Sequence, residues 1–226
     1  MTRVLLFLTS ADQMGDTGRP TGYFLAEAAH PWKVFADAGW EIAFASPKGG
    51  HSRIDGADET DPAQAEFLAE YGADGPEAVK ADAIDPSAFD VVLMVGGHGT
   101  MWDFRGDAEL QAIGRSVWEQ GGIVAAVCHG PAGLVDLRLS DGSLLVAGRH
   151  VAAFTDNEEA TVGLADVVPF ALATTLNSQG AIHVPAPNWS DHVVVDGRLI
   201  TGQNPASAAS LARAVVAKVG KSATTG

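Results

Sequence analysis

Cys128, the only cysteine of the chain, follows a short apolar run and precedes a histidine and a Gly-Pro pair in the stretch GGIVAAVCHGPAG, residues 121–133. This order predicts a strand, a sharp turn and the start of a helix, as in a nucleophile elbow with Cys in place of Ser. A thiol at a helix N-terminus ionises more easily, and the thiolate attacks carbonyl carbons. The alternative is that Cys128 is simply a small buried hydrophobic residue.

Three acid–base groups could serve such a thiol. His129 is the candidate general base, and a base of this kind needs an orienting carboxylate. The nearest downstream acids are Asp156, Glu158 and Glu159, and we favour Glu159. Glu27 lies in an apolar helical stretch, where desolvation would keep its proton available for sulfur or substrate. The alternative for Glu159 is a carboxylate that only complements a helix dipole, and the alternative for Glu27 is a carboxylate that faces solvent.

The run GGHG, residues 96–99, follows another apolar run. Glycines allow backbone amides to approach a ligand closely. We predict that the amides of Gly97 and His129 form an oxyanion hole, with His98 beside the substrate. A tight turn that requires positive φ is the alternative. Because the other histidines lack metal-ligand spacing and no phosphate-binding motif occurs, we expect no metal and no cofactor.

Four continuous apolar runs, at residues 4–8, 41–45, 91–95 and 123–127, are separated by helical or loop segments. Such runs are typical of parallel strands covered by helices on both faces, as in a doubly wound α/β fold. The carboxyl ends of parallel strands meet at one edge, so Gly97 and Cys128 should lie together. Further predictions are helices at 21–38, broken or kinked at Pro31, at 159–176 and at 205–219, short strands at 143–146, 150–154 and 181–184, and a hairpin of 192–195 with 198–201.

The chain as a whole, residues 1–226, is predicted to be one domain. Residues 51–88 are acidic and punctuated by Pro and Gly, which favours a surface insertion with a short helix at 66–71. That insertion could be a lid over the site or a solvated loop. Residues 221–226 are expected to form a frayed tail.

The net charge of −14, with no cluster of Lys or Arg, argues against nucleic acid or anionic membranes as partners. No apolar run approaches the roughly 20 residues of a membrane span. The first run is too short for a signal peptide, and one cysteine allows no internal disulfide. We therefore expect a cytoplasmic protein.

Four ordered motifs carry a family resemblance: TGYFLAEAAHP at 21–31, GGHGTMWD at 96–103, AVCHGP at 126–131 and DGRLITGQNPAS at 196–207. Together they resemble the ThiJ/PfpI superfamily, in its heat-shock chaperone and glyoxalase III branch. The resemblance implies a flavodoxin-like fold related to class I glutamine amidotransferases, and commonly a homodimer. It also implies that Cys128 is the nucleophile, His129 the base, Glu159 the acid that orients it and Glu27 the protonated partner of the sulfur.

The function implied by this resemblance is a glutathione-independent glyoxalase. Such an enzyme converts methylglyoxal or a related 2-oxoaldehyde to a 2-hydroxy acid through a hemithioacetal on Cys128, and a protein deglycase or stress-chaperone activity could accompany it. The alternatives are a cysteine amidase or peptidase of the same superfamily and a non-enzymatic, redox-responsive chaperone. A glutamine amidotransferase is disfavoured, because the His-x-Glu pair that it needs near the C-terminus is absent.

Overall fold

The computed structural model describes residues 1–223, with side chains through residue 220. The strands are β1 (Arg3–Phe7), β2 (Tyr23–Phe24), β3 (Glu41–Ser46), β4 (Gly50–His51), β5 (Ile54–Asp55), β6 (Glu77–Lys80), β7 (Val91–Met94), β8 (Ile123–Val127), β9 (His150–Val151), β10 (Ile182–His183), β11 (Val193–Asp196) and β12 (Leu199–Gly202). The α-helices are α1 (Leu25–Asp37), α2 (Pro62–Tyr71), α3 (Thr100–Asp103), α4 (Ala108–Glu119), α5 (Asp156–Thr161), α6 (Leu172–Ser178) and α7 (Ala208–Ala223).

Eight of these strands form the central sheet, in the order β11-β12-β8-β7-β1-β3-β6-β4. The strands from β12 to β6 are parallel, and the two outermost strands are antiparallel to their neighbours. The four apolar runs became β1, β3, β7 and β8, so the predicted doubly wound α/β fold is confirmed.

The strands in the middle of the sheet are buried on both faces, which explains their continuous apolar sequences. In β1, Val4 and Leu6 belong to a core shared with α1 and α7, whereas Leu5 and Phe7 belong to a second core with α4. Alternate side chains of one strand thus hold helices on opposite faces. This sandwich fixes the carboxyl edge of the sheet, where the loops after β1, β7 and β8 emerge.

The structure corrects the prediction for residues 51–88. Strand β6 pairs with β3 and with β4, so this segment extends the central sheet rather than only crossing its surface. Helix α2 packs beside α1, with the Phe67 ring 5.5 Å from that of Trp32. Strands of two to four residues are too short to show a periodic pattern, and the sequence therefore did not reveal them.

Several element bounds differ from the predictions. Helix α1 begins at Leu25 because residues 23 and 24 are extended, with the Tyr23 amide donating to the Arg53 carbonyl at 3.0 Å. Pro31 lies inside α1 without ending it. The predicted helix at 159–176 is wrong, since α5 and α6 are separate helices with Gly163 in a left-handed turn between them.

Two other predictions are wrong. Residues 143–146 form turns with a single bridge from Leu144 to Arg138, rather than a strand. The segment after Cys128 is a short 3₁₀ turn, Gly130–Leu134, rather than an α-helix. In contrast, the hairpin of β11 and β12 is confirmed, with Gly197 at φ 62° in its turn.

The end of the chain was predicted to be frayed from residue 221. Helix α7 is described to Ala223, and the rest of that prediction lies outside the described residues. Over residues 1–223, no helix combines the length and apolar character needed to cross a membrane.

Candidate active site

The site begins with the turn at Cys128. This residue has φ 59°, a left-handed backbone conformation that is energetically costly for residues other than glycine. Its amide donates to the Gly202 carbonyl at 2.9 Å, and its carbonyl accepts from the Phe154 amide at 2.8 Å. The turn is thus held from both sides, and the sulfur lies at the carboxyl edge of the sheet.

Two glycines allow the neighbouring backbone to pack against this turn. A Cβ on Gly130 would lie 2.1 Å from the Met94 carbonyl oxygen, and one on Gly96 would lie 2.2 Å from Glu27 Oε2. Neither distance is possible for real atoms, so a side chain at either position would force the loops after β7 and β8 apart. These glycines therefore keep Glu27 and Cys128 close together.

A relay of three side chains starts at the sulfur. Cys128 Sγ lies 3.3 Å from His129 Nδ1, and His129 Nε2 lies 2.7 Å from Glu159 Oε2. Glu159 lies in the first turn of α5. If His129 donates Nε2–H to the carboxylate, Nδ1 carries the lone pair that can accept the thiol proton. The structure thus brings together the three residues that the sequence analysis selected as candidate nucleophile, base and orienting acid.

The charges of this relay follow from burial and hydrogen bonding. Burial, together with the neighbouring His98, lowers the pKa of His129 to about 4. Burial acts to raise the pKa of Glu159, but hydrogen bonds from His129 and His98 lower it to about 2. At neutral pH the pair is therefore a neutral imidazole next to a carboxylate, which is the state required of a base.

Glu27 lies on the other side of the thiol. The sequence suggested a position within a longer helix, but the shorter α1 places Glu27 in its first turn. The side chain is fully buried, and within residues 1–220 neither carboxyl oxygen makes a hydrogen bond of ordinary geometry. Burial raises the pKa of Glu27 to about 8, although Cys128 and the Gly96 amide partly oppose this. The group is therefore a neutral acid at neutral pH.

The prediction that Cys128 is a thiolate at rest is wrong. Only 3% of the residue is exposed, and burial followed by the neighbouring Glu27 raises the pKa of the thiol well above its usual value. The expected helix dipole is weak because the following segment is only a five-residue 3₁₀ turn. Cys128 therefore carries its proton at rest, and a base is needed to remove it.

The predicted oxyanion-hole residues also lie at this site. Gly97, His98 and His129 line one cavity with Cys128. The Thr100 hydroxyl lies 2.9 Å from the Gly97 carbonyl and 3.0 Å from that of His129, which joins the two loops. His98 has a contact that the sequence did not predict, because its Nε2 lies 2.9 Å from Glu159 Oε1.

The cavity above the sulfur is small, with a volume of about 170 Å³. Its walls are mainly aromatic and aliphatic, and none of the described residues that line it is Lys or Arg. Asp55 is the one aspartate of this lining. The lining residues are Phe24, Glu27, Asp55, Gly97, His98, Cys128, His129, Phe154, Val162, Trp189 and Pro205.

Glu158, considered above only as an alternative to Glu159, has a different role. It forms a capping box with Thr155, and its Oε1 accepts hydrogen bonds from the Trp189 amide at 2.9 Å and from Asn204 Nδ2 at 3.0 Å. Trp189 is left-handed, with φ 63°. One buried carboxylate therefore fixes a wall of the cavity, and the Thr-x-x-Glu spacing was the sequence signal for its cap.

His98, His129 and Glu159 are also close enough for an ion to contact all three, with one candidate ligand atom of each within 4.8 Å of the others. The Nε2 atoms of both histidines already lie within hydrogen-bond distance of Glu159. A metal on these nitrogens would remove the hydrogen bond that orients His129. We therefore interpret the cluster as a hydrogen-bonded network.

Residues 21–218 match the model of the DJ-1/PfpI family. The chain belongs to the DJ-1/PfpI family. The match includes the first turn of α1, both glycine-rich loops and α5, so every side chain of the candidate site lies within the family domain.

Curated relatives cover nearly the whole chain. It is 34% identical to "Glyoxalase 3" of Candida albicans, over 96% of this chain and 98% of the relative. It is 36% identical to "Glutathione-independent glyoxalase HSP31" of Saccharomyces cerevisiae, over 93% and 94%. A crystal structure of glyoxalase III from Candida albicans superposes with a TM-score of 0.88 at 32% identity, covering 96% of this chain and 97% of that one.

The buried carboxyl of this family domain leads to a stability prediction. The pKa of Glu27 is about 8 in the folded protein against 4.5 for an ordinary glutamate, so folding favours the protonated form. The contribution of the protonated carboxyl to the free energy of unfolding is fully present below pH 4.5 and is lost as the pH rises toward 8. Glu27→Gln should therefore gain free energy of unfolding relative to the native protein between these pH values, by on the order of 4 kcal/mol at pH 8.

The measurement is urea unfolding of both proteins from pH 4.5 to 8. The exposed Glu70 supplies a matched control, because Glu70→Gln should show no such trend. If the free energies of unfolding of Glu27→Gln and the native protein differed by the same amount at every pH, Glu27 would not be a buried neutral acid.

Proposed function

We propose that this protein is a glutathione-independent glyoxalase that converts small 2-oxoaldehydes to 2-hydroxy acids. The observation that carries the proposal is the thiol of Cys128 between two groups of opposite function. On one side is a neutral acid, Glu27, and on the other a neutral base, His129, held by Glu159. The names of the Candida and Saccharomyces relatives support the same reaction.

The first step makes a bond between sulfur and the aldehyde carbon C1. His129 Nδ1 takes the thiol proton as Sγ attacks, because the thiol is protonated at rest and lies 3.3 Å away. The aldehyde oxygen gains the electron pair of the broken π bond and then a proton from the imidazolium. The product is a hemithioacetal, and His129 is neutral again.

The second step moves hydrogen from C1 to C2. His129 removes the C1 hydrogen as a proton, while Glu27 protonates the C2 carbonyl oxygen to give an enediol. Return of a proton to C2 and loss of the C1 hydroxyl proton then form a thioester of the 2-hydroxy acid. The low dielectric around Glu27 and His129 favours such proton transfers, since neither group starts as an ion.

Water completes the reaction by attack on the thioester carbonyl. The carbon–sulfur bond breaks, the sulfur regains a proton and the 2-hydroxy acid leaves, so one water is consumed for each aldehyde. The amides of Gly97 and His129 are proposed to stabilise the oxyanions of the first and last steps. No residue role requires glutathione or another cofactor.

The structure gives less support to the other functions considered. A cavity of about 170 Å³ suits a small aldehyde better than an extended peptide chain. A redox sensor needs an exposed, low-pKa thiol, whereas Cys128 is buried and its pKa is raised. From the family resemblance we also propose a homodimer, which sedimentation equilibrium of the purified protein would test.

The central prediction concerns lactate. Purified protein incubated with methylglyoxal and no glutathione should form lactate, and Cys128→Ala should abolish this. Glu27→Gln should reduce kcat by about 10²- to 10⁴-fold, the usual contribution of a positioned proton-transfer group. The exposed Glu70→Gln variant should behave as the native protein does.

Other outcomes would identify the alternatives. Peptide or amide hydrolysis without lactate would indicate the amidase, and the glyoxalase proposal would be wrong. Suppression of protein aggregation that survives in Cys128→Ala, with no lactate from any variant, would indicate a non-enzymatic chaperone.

The cavity lining also predicts a preference for uncharged substrates. Besides the protonated Glu27, Asp55 is the one acidic residue of the described lining, and no Lys or Arg opposes it there. Asp55→Asn should raise kcat/KM for a 2-oxoaldehyde that carries a phosphate on C3 by about 3- to 10-fold relative to methylglyoxal. Asp74→Asn, which changes the charge equally but away from this cavity, should leave the ratio unchanged. Equal ratios in both variants would contradict selection by Asp55.

A further inference from the structure

Glu159 is shared by two imidazole rings. Its Oε2 lies 2.7 Å from His129 Nε2 and its Oε1 lies 2.9 Å from His98 Nε2. The centroids of the two rings are 4.1 Å apart, with an angle of 42° between their planes. One carboxylate thus joins the loop after β7 to the loop after β8.

The three side chains differ in their access to solvent. The side chain of His129 is 1% exposed and that of Glu159 is 8% exposed, but that of His98 is 18% exposed. His98 also lines the cavity above the sulfur, whereas Glu159 is not among the described residues that line it. The outer imidazole is therefore where solvent and substrate meet the buried network.

We propose that His98 is a positioning residue of the reaction, which holds Glu159 in place and keeps His129 in its neutral, proton-accepting form. The inference rests on the glyoxalase function proposed above. His98 donates to the oxygen of Glu159 that His129 does not use, so the carboxylate cannot rotate without breaking one of two hydrogen bonds. The orientation of His129 toward Cys128 follows from the orientation of Glu159.

A second effect of His98 is electrostatic. Two imidazolium rings with centroids 4.1 Å apart would repel each other, so His98 opposes the protonation of His129. The other titratable groups around His129 are Cys128, Glu27, Glu158 and Glu159. Glu27 and Cys128 are neutral at rest, and Glu158 is engaged by the Trp189 amide and Asn204. Among these neighbours, His98 is therefore the one whose protonated form would oppose a positive charge on the base.

Two variants separate these effects. His98→Gln retains an N–H donor for Glu159 but carries no charge, and His98→Leu loses both. With methylglyoxal, His98→Leu should lower kcat/KM by about 10- to 100-fold through misplacement of the base, and His98→Gln should retain most of it at pH 7.5. His51→Gln, at a histidine that does not line the cavity, should match the native protein.

The decisive readout is the titration of the His129 ring, followed by NMR of its Cε1–H signal and assigned with a His129→Gln sample. In His98→Gln the midpoint should move to higher pH, and the acid limb of kcat/KM should move with it. A structural role alone would lower the rate equally at all pH values and leave the midpoint unchanged, which would overturn the inference. Full activity of His98→Leu would also overturn it.

The NMR midpoint does not depend on turnover, so it separates the two proposals. A native protein that makes no lactate but shows the shifted midpoint in His98→Gln would count against the glyoxalase function alone. Lactate formation with an unchanged midpoint would count against the role of His98 alone.

Discussion

The turn at Cys128 is the constraint on which the site depends. Its left-handed backbone is held by hydrogen bonds to Gly202 on one side and Phe154 on the other. Because the turn is fixed, the sulfur has a defined position relative to Glu27 and His129. The glycines at 96 and 130 allow the neighbouring backbone to reach that position. Catalytic geometry here is a consequence of backbone packing at the sheet edge.

Desolvation sets the protonation states of the groups so placed. Burial disfavours charge, so it keeps the proton on Glu27 and on Cys128 and removes it from His129. Glu159 stays ionised because two imidazoles bind its oxygens. In the resting site Glu27 and Cys128 therefore carry their protons, and His129 is neutral. The sulfur is not a thiolate. Folding must offset the cost of burying these groups, as is common at active sites.

The sequence was sufficient to predict features whose signal was either as long as a strand or confined to a few neighbouring residues. The apolar runs identified β1, β3, β7 and β8, and the residues around Cys128 identified the elbow. The spacing of acids after Phe154 limited the orienting carboxylate to Asp156, Glu158 and Glu159, and the family resemblance favoured Glu159, which the structure places against His129. The first two inferences needed only a strand-length pattern or a short motif, whereas the choice of Glu159 also needed the resemblance.

Other features depend on tertiary contacts that no local pattern reports. The edge strands β4 and β6 are too short to show periodicity, and α1 starts late because Tyr23 pairs with a distant backbone carbonyl. The sequence suggested an ionised thiol because a helix dipole was expected. The protonation state of the thiol is instead set by burial and by the neighbouring Glu27, and neither of these can be read from the sequence. The contact of His98 with Glu159 likewise joins a loop residue to a helix residue 61 positions further along the chain.

Glu158 and Glu159 are consecutive residues of one short helix, yet they serve different parts of the molecule. The first holds the Trp189 backbone and so shapes a cavity wall, and the second orients the imidazole of His129. A displacement of α5 would move both at once. Substitutions that enlarge the pocket by moving α5 would therefore also misalign His129. Changes in substrate range among proteins with this fold should instead arise in parts of the cavity wall that α5 does not support, such as those at Phe24 and Asp55.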